Sequence, residues 1–200
     1  MITRRLVLSL AAAGTLALAG CERAAPPHHF NAIDLSGAQY AHDFNLPDFD
    51  GKPRTLADFK GKVTAIYFGY TQCPDACPTT LAELASVEKS LGADAARLQV
   101  IFITVDPSRD TAALLKNYVT NFRPDFLALR GDEKQTKATA DEFKIFYEKV
   151  PGKTADTYTI DHISGVYLFD TQGRVRLFAK QDLDPALLTA DIQALLAEKA

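Results

Sequence analysis

The chain has 200 residues with a hydrophobic content of 47%, which is enough to bury the core of one domain. Its formal net charge of −3 leaves no excess of basic residues, and this argues against nucleic acid as a partner. Three cysteines are too few and too clustered for a fold stapled by disulfides, so we expect them to carry chemistry or a modification.

The N-terminus has the pattern of an export signal. Two arginines precede an uncharged run at residues 6–20, which is shorter than the roughly 20 apolar residues that span a bilayer. The run ends at Leu-Ala-Gly before Cys21, which resembles the lipobox of bacterial lipoproteins. We therefore predict a signal peptide at 1–20, lipidation of Cys21, and a membrane-anchored lipoprotein on the periplasmic, extracytoplasmic side, where disulfides can persist. An uncleaved N-terminal anchor with an incidental cysteine is the alternative.

Residues 21–40 are predicted to form a flexible tether, and residues 41–200 to form the domain. The tether contains a Pro-Pro pair and has no apolar periodicity. His28 and His29 lie in it and could capture a metal, although adjacent histidines in a linker usually have no specific role.

The first part of the domain is predicted to contain a hairpin, a buried strand and a helix. Residues 44–49 and 53–56 flank Asp-Gly-Lys, which is a hairpin signal. Residues 63–68 are β-branched and aromatic without polar alternation, which predicts a central strand buried on both faces. A helix is predicted to begin at Pro78. Its apolar residues have helical spacing: Leu81, Leu84, Val87 and Leu91.

The later elements alternate between strands and helices. Residues 98–105 predict a second buried strand, and Asp110 is a candidate N-cap for the helix that follows. The remaining predicted elements are a short strand at 126–129, a helix at 132–144 with Ala138 and Phe143 inward, a strand at 145–150, a polar loop at 151–156, a strand pair formed by 157–163 with 166–170, a strand at 174–179 and a last helix from Asp184. This order predicts an α/β fold with a single domain: a central mixed sheet flanked by helices, with an N-terminal β-hairpin.

Cys73 and Cys77 are the two thiols left for chemistry if Cys21 carries lipid. They follow the first central strand at the start of its helix, which is the thioredoxin-like arrangement, and a helix N-terminus favours thiolates. Their spacing is one residue longer than Cys-x-x-Cys, which suits a disulfide and leaves more room for a metal. One interpretation is a thiol–disulfide oxidoreductase in which Cys73 attacks and Cys77 resolves. The other is a metal site.

A metal site would need a third ligand, and His162 is a candidate. Soft-metal sites combine thiolates with imidazole, and His42 is the other histidine in the predicted domain. A lone histidine beside a strand can equally be a hydrogen-bonded structural residue, and both interpretations remain open. Three ligands would favour copper over structural zinc, which normally takes four. Asp75 or Asp161 could add an oxygen donor or orient the imidazole, or could be a turn residue and a solvated charge.

The turn at residues 106–110 contains Asp106 and Arg109 after the second buried strand. Loops at the carboxyl ends of strands border the site in α/β sheets, so these side chains could help to dock a partner. A helix-capping turn with an Arg–Asp pair is the alternative.

Three motifs, in this order, closely resemble the SCO/SenC family. They are YFGYTQCPDACP at 67–78, TVDPSRDT at 104–111, and Asp-His at 161–162 before VYLFD at 166–170. The resemblance covers roughly residues 41–198 and implies a thioredoxin-like fold with copper bound by Cys73, Cys77 and His162. It also implies work on the dinuclear copper centre of cytochrome c oxidase, either as copper donor or as reductant of its cysteines. Many family members have His at the position of Gln72, which lies outside the implied ligand set.

The predicted function is therefore that of a copper metallochaperone, with a thiol–disulfide oxidoreductase as the alternative. The expected partners are the copper-receiving subunit of cytochrome c oxidase or another extracytoplasmic copper protein, a thiol reductant or an upstream copper donor, and the membrane through the lipid anchor.

Overall fold

The computed structural model describes residues 29–154 and 157–198. The predicted signal peptide, Cys21 and His28 lie outside the described residues. Within those residues, no helix is both long enough and apolar enough to cross a membrane.

Ten strands and four α-helices make up the described part of the chain. The strands are β1 Ile33–Asp34, β2 Leu46–Pro47, β3 Pro53–Arg54, β4 Val63–Gly69, β5 Leu98–Thr104, β6 Leu127–Leu129, β7 Tyr147–Pro151, β8 Tyr158–His162, β9 Gly165–Phe169 and β10 Val175–Lys180. The helices are α1 Ala76–Ser90, α2 Ala112–Thr120, α3 Glu133–Glu142 and α4 Pro185–Ala197, and 3-10 turns occupy Leu56–Phe59 and Gly92–Arg97.

A six-stranded mixed sheet with the order β1-β10-β9-β4-β5-β6 is the centre of the fold. Strands β4, β5 and β6 are parallel, while β9 is antiparallel to β4 and β10 is antiparallel to β9. All seven residues of β4 are buried, as the uninterrupted apolar run at 63–68 predicts. The predicted hairpin is also present, because β2 pairs with β3.

Helices cover both faces of this sheet. Side chains alternate along β4, so Tyr67 and Phe68 point to opposite faces. The Tyr67 ring lies 6.1 Å from that of Phe102, which in turn lies 5.7 Å from Tyr118 of α2. On the other face, the Phe68 ring lies 5.2 Å from that of Phe143, at the end of α3. The predicted α/β fold with a mixed sheet and flanking helices is therefore confirmed.

The predicted tether is wrong for its last part. Strand β1 adds to the sheet edge beside β10, and the Asp191 carboxylate of α4 accepts hydrogen bonds from the backbone N–H groups of Asn31 and Ala32. Asp191 is fully buried, so the segment it holds is part of the domain. Composition alone gave no sign of this, because the acceptor lies 160 residues away in sequence.

The predicted pairing of residues 157–163 with 166–170 is also wrong. Strand β8 pairs with β7, whereas β9 pairs with β4 on one edge and with β10 on the other. A strand has only two edges, and both edges of β9 are occupied within the main sheet. The β7–β8 pair therefore forms a separate two-stranded hairpin outside the main sheet.

Three details of the helices differ from expectation. Helix α1 begins at Ala76, two residues before Pro78, which remains in the first turn, where a missing N–H is tolerated. Thr111, rather than Asp110, caps α2 by accepting a hydrogen bond from a backbone N–H. Ala138 is exposed, whereas Phe143 is buried as predicted.

Candidate metal centre

Three predicted site residues converge at the carboxyl end of β4. Cys73 lies in the loop after β4, Cys77 is the second residue of α1, and His162 is the last residue of β8. One ligand atom from each of the three lies within 4.8 Å of the others. Two thiols from one local segment thus meet an imidazole supplied by the separate hairpin.

The two sulfur atoms have different surroundings. The backbone N–H of Cys77 donates to Sγ of Cys73 at 3.4 Å, which satisfies a free N–H of the first turn of α1. The Sγ atom of Cys77 lies 3.6 Å from Nε2 of His162 and accepts a hydrogen bond from the Tyr67 hydroxyl, also at 3.6 Å. Both cysteines are free thiols. Cys73 is partly exposed, so a partner can reach it, whereas Cys77 is fully buried.

Burial determines the protonation of Cys77 and His162. It raises the pKa of the Cys77 thiol to about 12, so this group is protonated at neutral pH when no metal is bound. Burial lowers the pKa of the His162 imidazole, so the ring is neutral near pH 7. Its Nδ1 lies 3.1 Å from the carbonyl oxygen of Ile163. In the tautomer with the proton on Nδ1, that N–H donates to the Ile163 carbonyl. The lone pair of Nε2 is then directed at the thiols.

Aromatic side chains enclose the imidazole. The Tyr67 and Tyr70 rings meet that of His162 edge-on, with centroids 6.2 Å and 6.0 Å away. The Tyr70 hydroxyl accepts a hydrogen bond from the backbone N–H of Ile160 at 3.2 Å, so it also contacts β8 directly. The site is therefore half-buried, with one accessible sulfur.

Two residues support the site although the sequence analysis gave them no role in it. A Cβ atom on Gly69 would lie 2.7 Å from Sγ of Cys77, so any other residue there would have to displace its neighbours. Asp110 is fully buried and accepts hydrogen bonds at 2.6 Å from the hydroxyls of both Thr71 and Thr104, which joins the cysteine loop to the end of β5. Two features of the sequence could have pointed to them: Gly69 follows a run of buried strand residues, and Asp110 is an acidic residue within the motif at 104–111.

The remaining candidates lie apart from the cluster. Asp75 is exposed and makes no side-chain cap to α1, and Asp161 is exposed on the face of β8 opposite His162. His42 is exposed, and its Nδ1 pairs with Glu142 at 2.9 Å. Within residues 29–154 and 157–198, Cys73, Cys77 and His162 form the one group of this kind that could hold a metal ion.

Asp106 and Arg109 form the Arg–Asp pair expected in the alternative, with Nε of Arg109 2.5 Å from Oδ2 of Asp106, but they provide neither a docking surface nor the helix cap. Asp106 is fully buried, and the Arg109 side chain is only 17% exposed, so they offer little surface to a partner. Because Thr111 caps α2, they are not needed as a cap either. Both side chains instead form hydrogen bonds with Tyr158 of β8.

Comparisons with known proteins agree with this geometry. The model of the SCO1/SenC family matches residues 34–197. An SCO2-like protein of Rickettsia felis is 41% identical over 133 residues, which are 66% of this chain and 65% of that protein. The chain thus matches slightly less than two thirds of that relative's length.

Two solved structures carry the same fold at substantial sequence identity. ScoI of Bradyrhizobium japonicum with copper bound is 40% identical with a TM-score of 0.70, covering 76% of this chain and 97% of that one. Apo Sco1 of Thermus thermophilus is 34% identical with a TM-score of 0.76, covering 86% and 99%. These likenesses confirm the predicted thioredoxin-like fold.

Proposed function

Because the chain belongs to the SCO1/SenC family, we propose that it is a copper metallochaperone that binds copper through Cys73, Cys77 and His162. The observation that carries this proposal is the convergence of two thiols and one imidazole within 4.8 Å. Thiolate and imidazole donors together suit copper in both of its common oxidation states.

The donor set fits copper better than structural zinc. Structural zinc normally takes four protein ligands, and the cluster offers three. The family assignment and the copper-bound ScoI relative support the same choice. The Nε2 atom of His162 is left free to bind because Nδ1 can donate to the Ile163 carbonyl.

The unequal exposure of the two cysteines suits a protein that transfers its bound copper to another protein. Cys77 is enclosed, while Cys73 is partly exposed at the surface. A receiving thiolate or imidazole would approach from the Cys73 side and replace that ligand first, while Cys77 still holds the ion. Transfer by successive ligand replacement keeps the copper coordinated throughout.

We further propose that the protein works outside the cytoplasm, where lipid on Cys21 anchors it to a membrane after removal of residues 1–20. The proposed client is the dinuclear copper centre of cytochrome c oxidase, on the strength of the family resemblance. Because β1 belongs to the domain, the tether would end near residue 30.

Copper titration of the reduced protein tests the ligand set. The wild type should bind one equivalent tightly, and Cys73→Ala, Cys77→Ala and His162→Ala should each weaken binding by more than the roughly 10–100-fold typical of losing an outer-shell partner. His42→Ala is the matched control, because His42 is exposed and paired with Glu142 outside the cluster. Unchanged binding by His162→Ala would show that this imidazole is not a ligand.

Thiol–disulfide exchange is a second candidate function, favoured by the accessible Cys73 beside a buried free thiol. The Cys73 thiolate would attack a partner disulfide to form a mixed disulfide and release one partner thiolate. Cys77 would then lose its proton, attack Sγ of Cys73 in the mixed disulfide and displace the second partner thiolate, which takes up a proton. The partner is thereby reduced by two electrons, and Cys73 and Cys77 are oxidised to a disulfide. An external dithiol must reduce the protein again. Turnover of a disulfide substrate by metal-free protein, retained in His162→Ala, would support this function.

A further inference from the structure

Arg109 lies at a junction between the three segments that meet around the metal centre. Its Nε donates to Oδ2 of Asp106 at 2.5 Å, within the turn after β5. Its Nη1 donates both to Oε1 of Gln72, next to Cys73, at 3.1 Å and to the carbonyl oxygen of Tyr158, in β8, at 3.0 Å. One guanidinium group therefore connects the cysteine loop to the strand that carries His162.

Tyr158 closes this arrangement into a ring of contacts. Its aromatic ring lies 3.5 Å from the guanidinium carbon of Arg109, and its hydroxyl donates to Oδ1 of Asp106 at 2.8 Å. Burial, together with the adjacent Asp106 carboxylate, raises the pKa of Tyr158 to about 12, so the hydroxyl remains a donor at neutral pH. We call Asp106, Arg109 and Tyr158 the clasp.

The β7–β8 hairpin depends on such contacts for its position. It shares no strand pairing with the main sheet, and a two-stranded hairpin alone is marginally stable. Four of the five residues of β7 are exposed. Besides the clasp, a hydrogen bond from the N–H of Ile160 to the Tyr70 hydroxyl ties β8 to the domain. These contacts hold β8 against the domain, and His162 is the last residue of that strand.

We propose that the clasp is a positioning device that holds β8 so that Nε2 of His162 faces Sγ of Cys77, and that it thereby sets the metal affinity of the site. The proposal rests on the proposed copper-binding function. Neither partner docking nor helix capping accounts for these residues, because Asp106 is buried and Thr111 caps α2. The Arg109 guanidinium stacks on the Tyr158 ring, and this cation–π contact helps to offset the desolvation of its buried Nη2.

The first test compares copper affinity across matched variants of the full reduced chain. Tyr158→Phe removes one hydroxyl and keeps the ring, and Arg109→Met removes the guanidinium. The control is Lys149→Met, because the Lys149 ammonium also lies over the Tyr158 ring, at 5.0 Å, and no hydrogen bond joins it to Asp106 in the described structure. Both clasp variants should weaken copper binding by about 10–100-fold, as loss of outer-shell partners does, and the control should not.

A double-mutant cycle separates positioning of His162 from general damage. If the clasp acts through His162, Tyr158→Phe should have no further effect on copper affinity once His162→Ala is in place. Wild-type affinity in Tyr158→Phe would overturn the proposal, and so would a loss that adds fully to that of His162→Ala. If Arg109→Met fails to fold because Asp106 is left as an unpaired buried charge, Tyr158→Phe alone decides the test.

Amide hydrogen exchange of the metal-free protein gives a readout that does not depend on copper. Loosening the clasp should speed exchange of the Ile160 amide, which donates to Tyr70, and leave amides in β5 unchanged. Unchanged exchange at Ile160 would overturn the proposal even if copper binding weakened. If His162→Ala instead bound copper like the wild type, the proposed ligand set would fail, and exchange at Ile160 would still decide whether the clasp holds β8.

Discussion

Gly69→Ala should damage the proposed metal centre through a single added methyl group. The new Cβ would lie 2.7 Å from Sγ of Cys77 and 2.9 Å from Cε2 of Phe102, both closer than unstrained contacts allow. Neither neighbour can move toward solvent, because both are fully buried. The backbone cannot yield easily either, since the parallel strand β5 pairs with β4 along its whole length.

The magnitude follows from two opposing effects. Overpacking of a closed core destabilises by roughly 1–3 kcal/mol, whereas replacing glycine with alanine stabilises by about 0.4–1 kcal/mol through the unfolded chain. The midpoints of these ranges, about 2 and about 0.7 kcal/mol, give a net loss in the free energy of unfolding of about 1.3 kcal/mol. For a domain of this size that corresponds to a fall in Tm of about 3–5 °C.

Urea denaturation and copper titration of the same samples would measure both consequences. The sulfur of Cys77 should be pushed from its position 3.6 Å from Nε2 of His162, so copper binding should weaken along with stability. Gly131→Ala is the matched control, because its Cβ would come within 2.8 Å of Leu46 and Gln135, away from the thiols. It should lose stability and keep copper affinity. If Gly69→Ala kept wild-type stability and copper affinity, the close contact between residue 69 and the Cys77 sulfur would not matter to the fold or the site.

Three further predictions concern the thiols and the N-terminal segment. Iodoacetamide should alkylate Cys73 before Cys77 in the reduced metal-free protein, because Cys77 is buried and burial raises its pKa to about 12. Peptide mapping by mass spectrometry would measure the order, and the reverse order would contradict this prediction. If Cys77 is a copper ligand, copper affinity should rise about tenfold or more per pH unit between roughly pH 7 and 8.5, because binding then displaces the Cys77 proton over a range well below that pKa. A copper affinity that did not change with pH would argue against Cys77 as a ligand. Asp191→Ala should lower the free energy of unfolding by about 1–3 kcal/mol, because it leaves the buried N–H of Ala32 without an acceptor. Urea denaturation would measure that loss. Amide hydrogen exchange at residues 31–35 that was as slow in the variant as in the wild type would count against it.

Much of the fold could be predicted from local patterns. The apolar run at 63–68 is buried at every position, and Leu81, Leu84, Val87 and Leu91 all face the core. Such elements are recognisable because burial leaves a periodic or continuous apolar signature in the sequence. The β2–β3 hairpin was predicted for a similar reason, since Asp-Gly-Lys marks a tight turn between two short strands.

Predictions that depended on distant partners were less successful. Asp110 looked like a helix cap, yet its carboxylate accepts from Thr71, 39 residues earlier in the chain. Residues 31–35 looked like tether because their anchor, Asp191, is on the last helix. Strand β8 was assigned the wrong neighbour because alternating side chains show that a strand exists but not which strand it pairs with.

Local sequence patterns were enough to predict that Cys73 and Cys77 lie close together, since both lie in one strand-to-helix turn whose geometry follows from a few residues. The family motifs also pointed to His162. The 3.6 Å distance between this imidazole and Sγ of Cys77 is visible only in the tertiary structure, where the half-buried Arg109 stacks on Tyr158 in the strand that carries His162. The physical reason is that a hairpin outside the main sheet takes its position from side-chain contacts, and those contacts join segments that are 49 and 52 residues apart.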